Sequence, residues 1–184
     1  MSYEKLSKLK SLKAACDVLA LSATPIPRTL HMAVLGLREV SYLTTAPKGR
    51  LPVRTLVCES TDQIIQEGIE QELRRGGQIF FVHNNVNQLT SYGSYLKELV
   101  PDARVQVAHG QMAESELESV IFDFLEHKFD ILVCTTVIES GIDMPNVNTL
   151  FVNQAERFGL SQLYQLRGRV GRSTVQGYAY FLCQ

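Results

Sequence analysis

Two hydrophobic periods alternate along the chain. Ile79-Phe80-Phe81-Val82 and Ile131-Leu132-Val133-Cys134 are short, unbroken apolar runs. A strand covered on both faces needs that pattern, because neither side of its pleat meets water. Between such runs the apolar residues recur at spacings of three and four. Ile64, Ile65, Gly68, Ile69 and Leu73 share one face of a helix predicted over 61–75, which the Gly76-Gly77 pair stops. The same reading predicts helices over 86–100, 114–127 and 160–167, and strands over 53–58, 78–82, 104–108, 130–134, 148–152 and 177–182. Residues 17–22 form a further apolar run, and Leu6, Leu9 and Leu12 sit at helical spacing before it. Strands alternating with helices of this length predict an α/β fold, a parallel sheet with helices on both faces. Sites in such sheets lie beyond the carboxyl ends of the strands. That rule points to the loops around residues 22–24, 83–85, 109–112, 135–143 and 154–157.

Composition narrows the function more than the fold. The chain has 184 residues, 45% of them hydrophobic and 20% charged, as in an ordinary water-soluble domain. Eighteen Lys and Arg face 19 Asp and Glu, a net charge of −1. That balance gives no electrostatic footprint of strong, nonspecific nucleic-acid binding, so any such contact must come from local geometry or from a neighbour outside this chain. The four cysteines, Cys16, Cys58, Cys134 and Cys183, form no C-x-x-C pair. Neither a metal site nor a disulfide framework is expected, and a reducing cytoplasmic setting fits. Cys58 and Cys134 read as small core residues. No apolar stretch approaches the ~20 residues of a membrane span.

Several motifs are missing. No glycine is followed by lysine, so the chain has no phosphate-cradling G-x-x-x-x-G-K-[ST] loop. No aspartate is followed by glutamate, which removes the acidic pair that holds magnesium and water in nucleotide-driven motors. G-x-G-x-x-G, H-E-x-x-H and G-x-S-x-G are absent too. A self-contained hydrolase is hard to build from the residues that remain.

The chemistry concentrates in Gln165-Leu166-Arg167-Gly168-Arg169-Val170-Gly171-Arg172. Three guanidinium groups lie within six residues, and the intervening glycines let the backbone come close to another group. Arginine is permanently charged and grips phosphate oxygens in a fork. The segment therefore reads as a solvated basic loop, as a contact to nucleic-acid phosphates, or as arginine fingers that stabilise charge on a transferring phosphoryl group. Fingers of this kind are worth roughly 10³–10⁵ in rate.

The segment resembles the Q-x-x-G-R-x-G-R signature of superfamily-2 helicases and translocases. Four further segments resemble family motifs in the same order: Ser22-Ala23-Thr24, Phe80-Phe81-Val82-His83-Asn84-Asn85, His109-Gly110-Gln111-Met112, and Thr135 to Asp143 as T-x-x-x-x-x-G-[IV]-D. Ala23-Thr24-Pro25-Ile26-Pro27-Arg28-Thr29-Leu30 is similar to a block shared by the transcription-repair coupling factors and the RecG fork-remodelling helicases, as is Glu156 to Leu163. Ile138-Glu139-Ser140-Gly141-Ile142-Asp143 and the short path from Val82 to His109 resemble the coupling-factor family more closely. A RecG-type lobe is the alternative, and a non-catalytic nucleic-acid-binding module is a third.

The resemblance implies a RecA-like three-layer sandwich, mostly parallel, forming the second lobe of a two-lobe motor. Residues 1–30 would close the first lobe, 31–60 would link the lobes, and 61–184 would form the second. The implied cofactor is ATP with Mg²⁺, held mainly by a first lobe of the same polypeptide, so this lobe alone would not hydrolyse ATP. Arg169 and Arg172 would be the fingers and Gln165 would position nucleotide or water. Gly141, Asp143 and Gly168 would border the nucleotide, with Asp143 near the ribose or acting as a plain turn carboxylate. Thr135 and Thr136, His109 and Gly110, and Asn84 and Asn85 would touch the backbone of double-stranded DNA. For Thr135 helix capping is the competing role, for His109 a structural one, and for residues 83–85 plain turn chemistry. Ser22 and Thr24 would couple nucleotide state to lobe movement. RNA polymerase and excision-repair proteins would be partners through domains outside this chain.

Overall fold

A computed structural model describes residues 41, 49, 51–136 and 144–184, all within one compact unit, Ser41–Gln184. Among these residues the order is β1 (Arg54–Glu59), α1 (Asp62–Arg74), β2 (Gln78–Val82), α2 (Val86–Leu99), β3 (Val105–Ala108) and α3 (Glu114–Leu125). Then follow β4 (Ile131–Cys134), β5 (Val147–Asn153), a 3₁₀ turn (Ala155–Arg157), α4 (Leu160–Arg167) and β6 (Tyr178–Cys183). The six strands form one sheet in the order β1-β6-β5-β2-β4-β3, and every pairing is parallel. The elements predicted from residue 53 onward are all present. Among the described residues the first strand starts at Arg54, within the stretch 31–60 read as an inter-lobe linker.

The period of two along each strand sorts its side chains into two cores. Ile79, Phe81, Ile131, Val133, Phe151 and Leu182 pack under α1 and α2 with Ile65, Ile69, Leu89 and Leu96. On the other face, Phe80, Val82, Leu132, Cys134, Leu150, Val152 and Ala179 meet Val120 and Phe124 of α3 and Leu166 of α4. The result is three layers, with β2, β4 and β5 buried along their whole length. Cys134 lies deep in this core, where burial pushes its thiol pKa well up. Cys58 departs from its predicted core position. It sits on β1, at the edge of the sheet, and is only half-buried.

Local chemistry starts and stops the helices. Thr61 caps α1 by accepting from the Ile64 N–H at 3.3 Å, and Asn85 caps α2 by accepting from the Asn87 N–H at 3.1 Å. Gln162 reaches back to accept from the Gly159 N–H at 3.0 Å and so closes the first turn of α4.

One ion pair ties the edge strand β3 to its neighbour β4. Arg104, just before β3, donates from Nε and Nη2 to the Asp130 carboxylate at 2.9 and 2.7 Å, and from its backbone N–H at 2.8 Å. Burial pushes the Asp130 carboxyl up. The Arg104 hydrogen bonds and charge outweigh that and hold its pKa below the usual carboxylate range. A lowered folded-state pKa adds stability that is fully present above the unfolded value of ~3.9 and is lost as pH falls through the folded one. Urea unfolding midpoints followed from pH 7 to pH 2 should therefore fall more steeply below about pH 4 in the wild type than in Asp130→Asn. Parallel acid limbs would contradict this role for the pair.

Candidate functional site

Because every strand is parallel, all loops leading from strand to helix emerge at one edge of the sheet and all loops leading back emerge at the other. The expected nucleic-acid residues lie at the carboxyl edge. Asn84 and Asn85 follow β2 and are exposed. His109 and Gly110 follow β3, the histidine half-buried and the glycine exposed. Thr135 and Thr136 follow β4, buried and half-buried respectively. β2, β4 and β3 are consecutive in the sheet, so these three pairs form one row.

The row is built rather than loose. His83, just past β2, is almost completely buried. Its Nε2 faces Gln88 Oε1 at 2.8 Å, its Nδ1 faces Asn153 Nδ2 at 3.2 Å, and its ring packs against Tyr92 with centroids 4.6 Å apart. An amide oxygen at Nε2 and an amide NH₂ at Nδ1 fit one neutral tautomer, with the proton on Nε2. His83 is thus a structural residue that binds the ends of β2 and β5 to α2 and sets where Asn84 begins. Asn85 performs turn chemistry as the cap of α2. His109 turns tightly, its carbonyl accepting from the Met112 N–H at 3.1 Å and its own N–H pointing at Met112 Sδ at 3.4 Å. The backbone of His109-Gly110 is thereby held in a fixed bend.

The arginine segment lies at the opposite edge. Gln165 is half-buried in the last turn of α4, and Gly168 caps that helix. The Arg169 N–H donates to the Leu166 carbonyl at 3.0 Å. Arg167 lies over the Tyr164 ring, 4.5 Å from its centroid. Val170 is fully buried, so it pins the loop into the core between half-buried Arg169 and Arg172. Arg172 Nε donates to the Gly168 carbonyl at 3.3 Å, folding the loop back on itself. The rule that sites lie past the carboxyl ends of strands does not reach this loop, which runs from α4 into β6. It borders the starts of β5, β6 and β1: the Gly171 N–H approaches the Val147 carbonyl at 3.4 Å, and the Gly177 carbonyl accepts from the Arg54 N–H at 2.9 Å.

Gly171 is required there. Its φ is +64°, and a Cβ would lie 3.0 Å from Val53 Cγ2 and 3.2 Å from the Gly177 Cα. Gly168 differs, because a Cβ there meets only carbonyl oxygens at 3.4 and 3.5 Å.

Sequence reasoning missed a buried acidic group beside this loop. Glu72 of α1 is fully buried and accepts from Arg75, from the Thr149 hydroxyl and, at 3.4 Å, from Asn148 Nδ2. A Cβ on Gly77 would lie 1.7 Å from Glu72 Oε1, so this glycine makes room for the carboxylate as well as ending the helix. The signal was in the sequence: Glu72 continues the stripe of Ile65, Gly68 and Ile69, three residues past Ile69.

Gly141, Asp143, Ser22 and Thr24 lie outside the described residues, as do the predicted elements before residue 41. Among the described residues no group of three or more His, Cys, Asp and Glu could hold a metal ion, and no helix is long and apolar enough to cross a membrane.

A six-stranded parallel sheet with a Gly-Arg-x-Gly-Arg loop at one edge and a row of polar turns at the other defines a class, the second RecA-like lobe of helicases. Residues 59–174 match the helicase conserved C-terminal domain, and the chain belongs to that family. Within it, the chain is homologous to the helicase C-terminal domain of the transcription-repair coupling factors. It is 54% identical over 175 residues to the transcription-repair-coupling factor of Staphylococcus epidermidis and 55% identical over 174 residues to that of Bacillus subtilis. Each match takes in 95% of this chain, which spans about 15% of the relative's length. Among solved structures it resembles RecG bound to a three-way DNA junction, with a TM-score of 0.71 and 38% identity over 87% of this chain and 22% of that one. Domain 2 of the DEAD-box helicase Mss116p, bound to an RNA duplex, shares the fold at 24% identity, with a TM-score of 0.57 over 71% of this chain and 54% of that one.

The two motif glycines should behave differently. Gly171→Ala should destabilise the domain by about 1–2 kcal/mol or more, from the left-handed backbone and the contacts behind it. Gly168→Ala should leave stability within ~0.5 kcal/mol. Urea titrations of the two variants against wild type check the contrast, and equal losses would contradict the geometry.

Proposed function

We propose that the chain is the second motor lobe of an ATP-dependent double-stranded DNA translocase acting in transcription-coupled DNA repair. The observation that carries this reading is the arginine loop. Arg169 and Arg172 flank a buried valine in a loop whose backbone Gly171 and the start of β5 hold in place. Guanidinium groups on a fixed backbone suit charge that grows in a transition state, because little reorganisation is needed when it forms.

ATP with Mg²⁺ supplies a transferable phosphoryl group when bound. The cationic donor set fits the terminal phosphate: Arg169 and Arg172 would stabilise its developing charge, with Gln165 orienting nucleotide or water and Gly168, Gly141 and Asp143 beside it. This proposal assigns the phosphate-cradling loop, the magnesium and the catalytic base to a first RecA-like lobe of the same polypeptide. On that division the present lobe is inactive as an ATPase by itself. On this reading the two lobes would close around bound nucleotide and open after hydrolysis.

At the far edge, Thr135, Thr136, His109, Gly110, Asn84 and Asn85 would hold DNA phosphates through hydroxyl, amide and backbone N–H groups. Contacts of that kind fix register on a duplex and carry no sequence information. The near-neutral charge agrees with a grip of this sort, made by a few placed donors. Ser22 and Thr24 would pass the state of one lobe to the other. RNA polymerase and excision-repair proteins would be engaged by domains outside this chain, in a cytoplasmic setting. The 54% identity to coupling factors, against 38% to RecG, favours this branch over a fork-remodelling one.

In the complete two-lobe protein, Arg169→Ala and Arg172→Ala should each lower ATP turnover by about 10³ while nucleotide binding persists. Steady-state hydrolysis together with nucleotide titration measures both quantities, and near-normal turnover in both variants would sink the assignment.

A further inference from the structure

We propose that Glu72, Asn148 and Ser173 form a polar brace that positions the arginine loop for phosphoryl transfer. The inference rests on the finger reading above and adds three positioning residues to it.

The brace starts from a carboxylate with no access to water. Glu72 is 0% exposed, and one oxygen accepts from both Arg75 and the Thr149 hydroxyl. A buried carboxylate without donors is strongly unfavourable, so these partners set its place. Its other oxygen faces Asn148 Nδ2 at 3.4 Å. The same Nδ2 donates to the Asn146 carbonyl at 3.2 Å. Two acceptors on one side leave the Asn148 amide a single sensible orientation, with Nδ2 toward them and Oδ1 away. Oδ1 then accepts from the Ser173 hydroxyl at 3.3 Å. The Ser173 oxygen in turn accepts from the Val175 N–H at 3.2 Å, which fixes the turn that follows Arg172.

The chain of bonds therefore runs from the end of α1, across the start of β5, to the residue next to Arg172. Every link is directional: acceptor, donor side of an amide, acceptor side of the same amide, hydroxyl, backbone N–H. Reversing one link reverses the demand on the next. The buried charge orients the amide, the amide orients the hydroxyl, and the hydroxyl holds the loop. A misplacement of about 1 Å at a reacting centre can cost on the order of 10² in rate, so a brace of this kind has a measurable effect on turnover.

The geometry permits a reciprocal test. Asn148→Asp keeps the shape but puts a second carboxylate against Glu72 and an acceptor against the Asn146 carbonyl. Glu72→Gln together with Asn148→Asp restores a donor facing an acceptor. The amide introduced on α1 keeps an oxygen for Arg75 and Thr149 and turns its NH₂ toward β5, while the carboxylate introduced on β5 still accepts from Ser173.

DNA-stimulated ATP hydrolysis is measured in the complete two-lobe protein, with DNA affinity as the control at the far edge of the sheet. Asn148→Asp should lower kcat at least ~tenfold with the KM for ATP within about twofold, and the double variant, which repairs the contact with Glu72 but not the one with the Asn146 carbonyl, should regain at least about threefold over Asn148→Asp. Ser173→Ala, which leaves the buried carboxylate untouched, should lower kcat in the same way, and Ser173→Thr should retain it. DNA affinity should be unchanged throughout. Full turnover in Ser173→Ala, or a double variant that folds but stays as slow as Asn148→Asp, overturns the brace. Loss of the finger reading is separately visible, as unchanged turnover in Arg169→Ala and Arg172→Ala.

Discussion

Parallel pairing along the whole sheet is the constraint from which the site follows. When six strands run the same way, each connection must cross back over the sheet, and the chain has two kinds of loop that never meet. Residues that leave a strand gather at one edge, and residues that enter one gather at the other. The polar turns after β2, β3 and β4 therefore share an edge without any signal in their own sequences. The arginine loop, which enters β6, is sent to the opposite edge by the same rule. A rigid sheet with both faces packed joins the two edges. In the proposed motor, this lets one lobe hold a backbone on one side and sense a nucleotide on the other.

Burial fixes the details within that frame. Val170 and Gly171 anchor the arginine loop through the core, so Arg169 and Arg172 project from a defined backbone. His83 does the same at the other edge, where a neutral imidazole between two amides locks the end of β2 to β5 and α2. Glu72 is the costliest of these devices, a charge held in the interior by Arg75, Thr149 and Asn148. Buried ionic groups contribute little net stability on average. Its use here is orientation, which suits a residue one short relay away from Arg172.

Much of this was legible in the sequence. The unbroken runs at residues 79–82 and 131–134 identified buried parallel strands, and the period of three to four located each helix. The arginine motif stood out because three guanidinium groups with glycines between them have few other uses. What the sequence hid was spatial. Which edge a loop occupies depends on chain direction through the sheet, and the carboxyl-end rule describes only one edge. Cys58 read as core because its neighbours are apolar, yet sheet order puts β1 at the rim. The charge of Glu72 masked its place on an apolar stripe, and only the fold brings Thr149 and Asn148 to it. His83 was read together with Asn84 and Asn85 as one polar loop, but its ring is buried in the domain while Asn84 and Asn85 are exposed.

In the proposed motor one lobe works through two separate edges, one on DNA and one on nucleotide. Hydrogen–deuterium exchange of the complete two-lobe protein tests it most directly, with duplex DNA alone in one arm and a non-hydrolysable ATP analogue alone in the other. DNA should slow exchange in residues 84–85, 109–112 and 135–136, while the analogue should slow it in residues 165–173. Protection of residues 165–173 by DNA alone, with no change at the carboxyl edge, would contradict it.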